Sequence, residues 1–280
     1  MTKYTVLGSS GFVGSEVVSK LKSQDHEVFT PKRDDPDIFE KDLGTVIYCS
    51  GNGDCKNSPF DVFYANSEFL SKVLTTAYFD RLVYISSTRV YMNNASSLES
   101  ADVNVVTRDN RRLFNLTKLL SEELCLNSGR NVIIVRPSNI YGLALQSPLF
   151  LPSITRNAIN NGVIDMYIDK SYAKDYVLVS DVANTCITLS NKDDANGQIY
   201  NIASGVNVTA EDIAAILTSK TGCKVNWHSL PENKEIFPIT DISKLRAIIP
   251  EYSPSSVLKD LSDIIDQFKI EMGKVDETHS

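Results

Sequence analysis

The chain offers little material for a metal site, a disulfide frame or a histidine-based triad. Only His26, His228 and His279 occur in 280 residues, and none stands beside a recognisable site motif. The five cysteines (Cys49, Cys55, Cys125, Cys186, Cys223) are odd in number and include no C-x-x-C pair. Such thiols read as reduced, which suits a cytoplasmic setting, and no metal is expected. No apolar run approaches the ~20 residues that a bilayer-spanning helix needs. The N-terminus also lacks the basic region and apolar core of a signal peptide, so no membrane partner is expected. There is no dense basic run and the net charge is −7, which argues against nucleic acid as the main ligand. Internal repeats and low-complexity segments are absent from the sequence.

What is present begins at Tyr4. Tyr4-Thr5-Val6-Leu7 reads as a strand, and Phe12, Val13, Val17, Val18 and Leu21 form an apolar stripe near helical period. Between them lies Gly8-Ser9-Ser10-Gly11-Phe12-Val13-Gly14. A glycine-rich turn from a first strand into a first helix is where a dinucleotide pyrophosphate binds. Glycine lets the backbone approach the phosphates, and free N–H groups with the helix dipole favour negative charge. The spacing is GxxGxxG, one residue longer in its first half than GxGxxG. Gly8, Ser10, Gly11, Phe12 and Val13 are the candidate contacts.

Strand and helix signals then alternate. Val46–Cys49, Leu82–Ile85 and Val132–Val135 read as buried strands, the last stopped by Arg136-Pro137. Residues 61–79 and 109–127 read as long helices. This pattern predicts an α/β fold, a Rossmann-type doubly wound parallel sheet with a small C-terminal substrate-binding lobe. Residues 1–142 and 176–204 are assigned to the dinucleotide-binding domain, 143–175 and 205–272 to the lobe, and 273–280 to a disordered tail. Helices are expected near 150–161, from Ser180, over 209–221 with Thr209 as N-cap, and over 241–248 and 255–270.

Several ordered motifs now resemble one family, the extended short-chain dehydrogenases/reductases, or NAD-dependent epimerase/dehydratase family. They are GSSGFVG at 8–14, Asn66, YISSTRVY at 84–91, Lys118-Leu-Leu-Ser-Glu122, RPSNIYG at 136–142, KDYVLVSDVA at 174–183 and YNIASG at 200–205. The resemblance spans about residues 3–270. It implies a nucleotide-sugar substrate, a dinucleotide lined by Ser50, Gly51, Asn66, Pro137 and Ser138, and Lys118 on the nicotinamide ribose. It places Ser87 on the reacting sugar oxygen, and Thr88, Asn139 and Lys174 against the substrate. Lys234 is a further candidate for the diphosphate, and Asp37 and Ile38 for adenine. It also implies a homodimer through the two long helices.

One position departs. The family motif Tyr-x-x-x-Lys here reads Phe114-Asn115-Leu116-Thr117-Lys118. Hydride transfer at a sugar carbon needs a proton moved on or off its oxygen, and a phenylalanine has none to move. Such a loss typically costs ~10²–10⁴ in rate. Three readings stand open: an enzyme inactivated by a Tyr-to-Phe change, an enzyme whose proton travels through Ser87, Thr88, Tyr91 or a water, and a non-catalytic binding protein. The dehydratases' Thr-Asp-Glu triplet falls on Ser87, Thr88 and Arg89, which carry no carboxyl, so elimination is disfavoured. Lys32 and Arg33, after the second strand, suit a 2′-phosphate, so NADP(H) is preferred and NAD(H) remains possible. The short link from Arg33 to Thr45 resembles the ketoreductase branch. The expected reaction is NADP(H)-dependent reduction of a keto-sugar nucleotide, with a 4-epimerase using bound NAD as the alternative.

Overall fold

The computed structural model describes residues 2–228 and 235–277. In chain order the first half contains β1 (Lys3–Leu7), α1 (Phe12–Ser23), β2 (Glu27–Phe29), α2 (Asp37–Glu40), β3 (Thr45–Tyr48), α3 (Pro59–Phe63), α4 (Phe69–Thr76), β4 (Arg81–Ile85), α5 (Arg112–Leu126) and β5 (Val132–Pro137). The second half adds β6 (Asn139–Tyr141), α6 (Phe150–Asn161), β7 (Val163–Met166), β8 (Ala173–Leu178), α7 (Val179–Ser190), β9 (Gln198–Ile202), β10 (Asn207–Thr209), α8 (Ala210–Thr221), β11 (Lys224–Trp227), α9 (Ser243–Ile248) and α10 (Val257–Glu277).

Six strands form one parallel sheet in the order β2-β1-β3-β4-β5-β9. Every residue of β3 and β5 is buried, as expected where helices cover both faces. One face packs Val17 and Leu21 of α1 with Val182, Cys186 and Leu189 of α7. The other packs Leu70 and Val73 of α4 with Cys125 of α5. The order reverses between β1 and β3, so the crevice at their carboxyl ends is the natural ligand site. Only α2, four residues long, sits between β2 and β3, and no further strand fits there.

The C-terminal region has its own core, which includes Tyr141, Ile164, Tyr176, Ile213, Leu217, Leu261 and Phe268. Around it stand a three-stranded sheet, β10-β8-β6, and a parallel pair, β11-β7. Thr209 and Asp212 form the expected reciprocal cap on α8.

Several expectations need correction. The helix expected over 61–79 is one continuous helical run from Pro59 to Thr76, but a wide π turn over Tyr64–Glu68 interrupts its α pattern between α3 and α4, and its buried Asn66 bonds outward to Asn52 and Thr117. Such π turns often mark functional positions. Arg136 and Pro137 continue β5 instead of ending it, because Glu122 neutralises the buried guanidinium and proline falls at the strand's last residue. The tail boundary at 273 falls inside α10, which runs on to Glu277. Leu245 and Ile249 pack in the core of the main sheet, so the lobe expected over 205–272 does not hold all of that segment. Ile38 is fully buried beside Leu7 and Val46, so it is a core residue and not an adenine contact. Asp37 pairs with Lys41 on α2.

Candidate active site

The first loop is a cradle built for close approach. Gly8 has φ +83°, and a Cβ there would stand 2.7 Å from the Ser50 nitrogen. A Cβ on Gly14 would stand 2.2 Å from the Gly8 oxygen. Only glycine fits either place. Gly11 closes the turn by donating its N–H to the Gly8 oxygen at 3.1 Å. It is the N-cap of α1, yet no side chain caps that end and its first turn carries no acidic residue. The N–H groups of Phe12 and Val13 are thus left for an anion. Ser10 is exposed on the rim.

The loop after β3 continues this surface. A Cβ on Gly51 would lie 3.3 Å from Asn66 Oδ1 and 3.6 Å from Lys118 Nζ. Asn66 has a structural share in the site: its Oδ1 accepts from the Asn52 N–H at 3.1 Å, and its Nδ2 donates to Asn52 O and Thr117 Oγ1. It pins the Ser50–Asn52 loop against α5. Lys32 and Arg33 are exposed at the turn after β2, with the Arg33 guanidinium 5.5 Å from the Tyr64 ring. At the end of β5, Pro137 is buried and Ser138 donates to Asp175 Oδ1 at 2.6 Å. Asp175 also takes N–H bonds from Ser204, Gly205 and Val206. Asn139 is exposed and donates its Nδ2 to Asp175 O at 2.8 Å. An uncapped helix start, two glycines with no room for a side chain, and a bare Gly51 backbone beside Lys118 Nζ are what a dinucleotide requires. These residues fit it.

Lys118 is buried on α5 and donates to Ile85 O at 2.8 Å. Burial lowers its pKa to about 8, partly opposed by Glu122. Phe114 lies one turn earlier, with its ring centroid 5.7 Å from Lys118 Nζ. Ser87 Oγ accepts the Arg89 N–H at 3.1 Å and caps the short turn over Thr88–Tyr91. Among the described residues its own proton goes to no partner, so it can cap and still donate to a ligand. Thr88 is buried next to it. Tyr91 is excluded as a proton source. Its hydroxyl donates to Asn201 Oδ1 at 2.9 Å and accepts from Arg136 at 2.6 Å, and burial raises its pKa to about 12.

Charged residues that the motifs did not single out surround this point. Arg89 is buried and bonds Asp109 at 2.8 Å and Glu235 at 2.7 Å. Glu235 also accepts from Tyr172 at 2.6 Å and from Lys174 at 3.3 Å. Arg89, Lys174 and Tyr172 together hold its pKa down to about 2 against the cost of burial. Lys174 therefore stands in the site, but with a carboxylate on it. Lys234 lies outside the described residues. Beside this cluster opens a cleft of about 650 Å³ between the two regions, lined by Asn93, Asp109, Tyr167, Tyr172, Asn207 and Phe237 among others.

A family model for the NAD dependent epimerase/dehydratase family matches residues 4–203, which include the glycine cradle, Ser87, Phe114 and Lys118. The chain belongs to the NAD dependent epimerase/dehydratase family. No curated protein matches its sequence. Among solved structures it resembles the epimerase Mth375 from Methanothermobacter thermautotrophicus, at 18% identity and TM-score 0.83, covering 98% of this chain and 94% of the other. It also resembles MoeE5 in complex with UDP-glucose and NAD, at 17% identity and TM-score 0.81, covering 96% and 99%. A third relative is a Tyr→Phe variant of UDP-glucuronic acid 4-epimerase from Bacillus cereus, in complex with a fluorinated UDP-glucuronic acid analogue and NAD. It has 18% identity and TM-score 0.81, over 95% and 99% of the chains. At these identities the likeness concerns the fold of this family member. Among its described residues no cluster of three or more metal-ligating side chains occurs, and no helix is long and apolar enough to cross a membrane.

Proposed function

We propose that this chain is an NAD(H)-binding, nucleotide-sugar protein of the 4-epimerase type whose proton-transfer step lacks its phenol. The observation that carries the reading is Lys118, a buried ammonium on α5 that bonds the Ile85 oxygen at the end of β4 and lies beside Gly51. The first loop would hold the pyrophosphate, Lys118 the nicotinamide ribose, and Ser138 and Pro137 the wall beside the ring. A nicotinamide bound there would supply reversible hydride transfer at a sugar carbon. The remaining work falls to the chain. Ser87 gives a hydrogen bond to the sugar oxygen and fixes its direction. Lys118 supplies a positive charge beside it, which favours the alkoxide form. Phe114 fills the volume where a phenol would exchange the proton and contributes none. Proton exchange is left to Ser87, Thr88 or solvent, and is slow.

NAD(H) is preferred over the expected NADP(H) because both MoeE5 and the 4-epimerase variant, which share this fold, are described with NAD. Dehydration has no support, since Arg89 stands where a carboxylic acid would be required and is itself ion-paired. The second reading, an NADP(H)-dependent ketoreductase, is favoured by exposed Lys32 and Arg33 and by the four-residue α2. Releasing the dinucleotide from purified protein with acid and identifying it separates the two. Retained NAD, with interconversion of 4-epimeric nucleotide sugars, supports the first reading. Retained NADP, or NADPH oxidation by a keto-sugar nucleotide, supports the second.

We also infer a homodimer. Phe60 and Phe63 of α3 and Leu116 and Leu120 of α5 are exposed at 85%, 42%, 47% and 46%, an apolar face of the kind that partners cover. The five free cysteines support a reducing, cytoplasmic location.

A further inference from the structure

Arg111 is the residue before α5, three before Phe114, and among the described residues no carboxylate forms an ion pair with it. Its guanidinium lies 4.8 Å from the Phe114 ring centroid. One of its terminal nitrogens would be 3.1 Å from a Cβ on Gly53, so the absence of a side chain there makes room for it. Its backbone N–H bonds Asp109, but among the described residues its side chain makes no hydrogen bond and no ion pair. Among the described residues, the carboxylates that act on it, Asp109 and Glu235, already hold other partners. Asp109 receives Arg89 and Asn115, and Glu235 receives Arg89, Tyr172 and Lys174. Burial and the neighbouring Arg89 both work against the charge on Arg111 and depress its pKa.

A half-buried guanidinium with unspent donors is costly unless a ligand completes it. Its place identifies which part of the ligand. The family resemblance implies that Lys174 lies toward the diphosphate of the substrate, and Phe114 with Lys118 toward the reacting sugar. Arg111 touches Phe114, so it belongs to the sugar end. A planar fork of N–H donors matches a carboxylate better than a hydroxyl. We propose that Arg111 is a specificity-determining residue that binds a carboxylate on the sugar, so that the substrate is a nucleotide-activated uronic acid. This rests on the nucleotide-sugar reading and narrows it.

The test is binding by titration calorimetry to the NAD-loaded full chain, with matched pairs: UDP-glucose against UDP-glucuronic acid, and GDP-mannose against GDP-mannuronic acid. The unaltered chain should bind the uronic member of one pair at least about tenfold more tightly. Arg111→Met should abolish that preference and leave the neutral sugar's affinity within about twofold. Arg111→Lys, which keeps the charge and loses the fork, should fall between, and it serves as the readout if the Met variant does not fold. No preference in the unaltered chain, or a preference that survives Arg111→Met, overturns the proposal. Equal loss of both members assigns Arg111 to the shared diphosphate and also overturns it. Failure of every nucleotide sugar to bind, with NAD still bound, contradicts the nucleotide-sugar reading itself.

Discussion

At the scale of the residue, Lys118 is a buried cation whose burial opposes folding. Its amine is buried with one carbonyl partner, and its pKa is lowered to about 8 from the ordinary lysine value. Below about pH 8 it is charged in both folded and unfolded chains, and burial of that charge opposes folding. Between about pH 8 and about 10.5 the folded chain sheds a proton that the unfolded chain keeps, so stability rises with pH across that window. Lys118→Met removes the titration. Denaturation of both proteins without cofactor should show the unaltered chain gaining on the variant by up to roughly 3 kcal/mol over that window. A difference independent of pH would mean that Lys118 is not buried as a cation. The glycine cradle, Ser87, Lys118 and the missing hydroxyl at Phe114 were legible in the sequence because each lies in a short local motif. Arg111 and Glu235 were not. Arg89 and Glu235 are 146 positions apart, and the isolation of Arg111 depends on where the carboxylates of Asp109 and Glu235 are spent.

At the scale of the element, a buried polar chain fastens the site to the sheet. Ser86 Oγ donates to Glu122 at 2.5 Å, Arg136 bonds the same carboxylate, and Arg136 continues through Tyr91 to Asn201. This chain links the segment after β4 (Ser86 and Tyr91) with α5, β5 and β9. Glu122 and Arg136 are 2% and 4% exposed, so removing one partner strands the other's charge. Glu122→Ala should destabilise by about 3–5 kcal/mol, and the double change Glu122→Met with Arg136→Met should recover much of that. Chemical denaturation measures both. A single variant of near-unaltered stability would show that the pair is not a tie. Strand interiors were readable from continuous apolar runs such as Val132–Val135. Their ends were not, because Arg136 remains in the sheet only through Glu122, a partner on another element. Likewise, the π turn over Tyr64–Glu68 follows from the bonds of Asn66 to Asn52 and Thr117, which helical periodicity cannot reveal.

At the scale of the whole molecule, a cleft of about 650 Å³ lies between the main sheet and the C-terminal core. The parallel architecture was foreseeable from alternating strand and helix signals. The packing of α9 on the main sheet was not, since Leu245 and Ile249 are as compatible with one core as with the other. The exposed leucines of α5 make a separate prediction. Leu116→Asp with Leu120→Asp should convert a dimer to a folded monomer in light scattering. A monomeric unaltered chain would remove that interface.

The central claim is that this is a family hydride-transfer site deprived of its proton donor at position 114. The most direct measurement compares the unaltered chain with Phe114→Tyr in the interconversion of 4-epimeric nucleotide sugars, with NAD bound. The account predicts a rate increase of about 10²–10⁴ for the tyrosine variant. Equal rates in the two proteins would contradict it, and would assign the proton to Ser87 or Thr88.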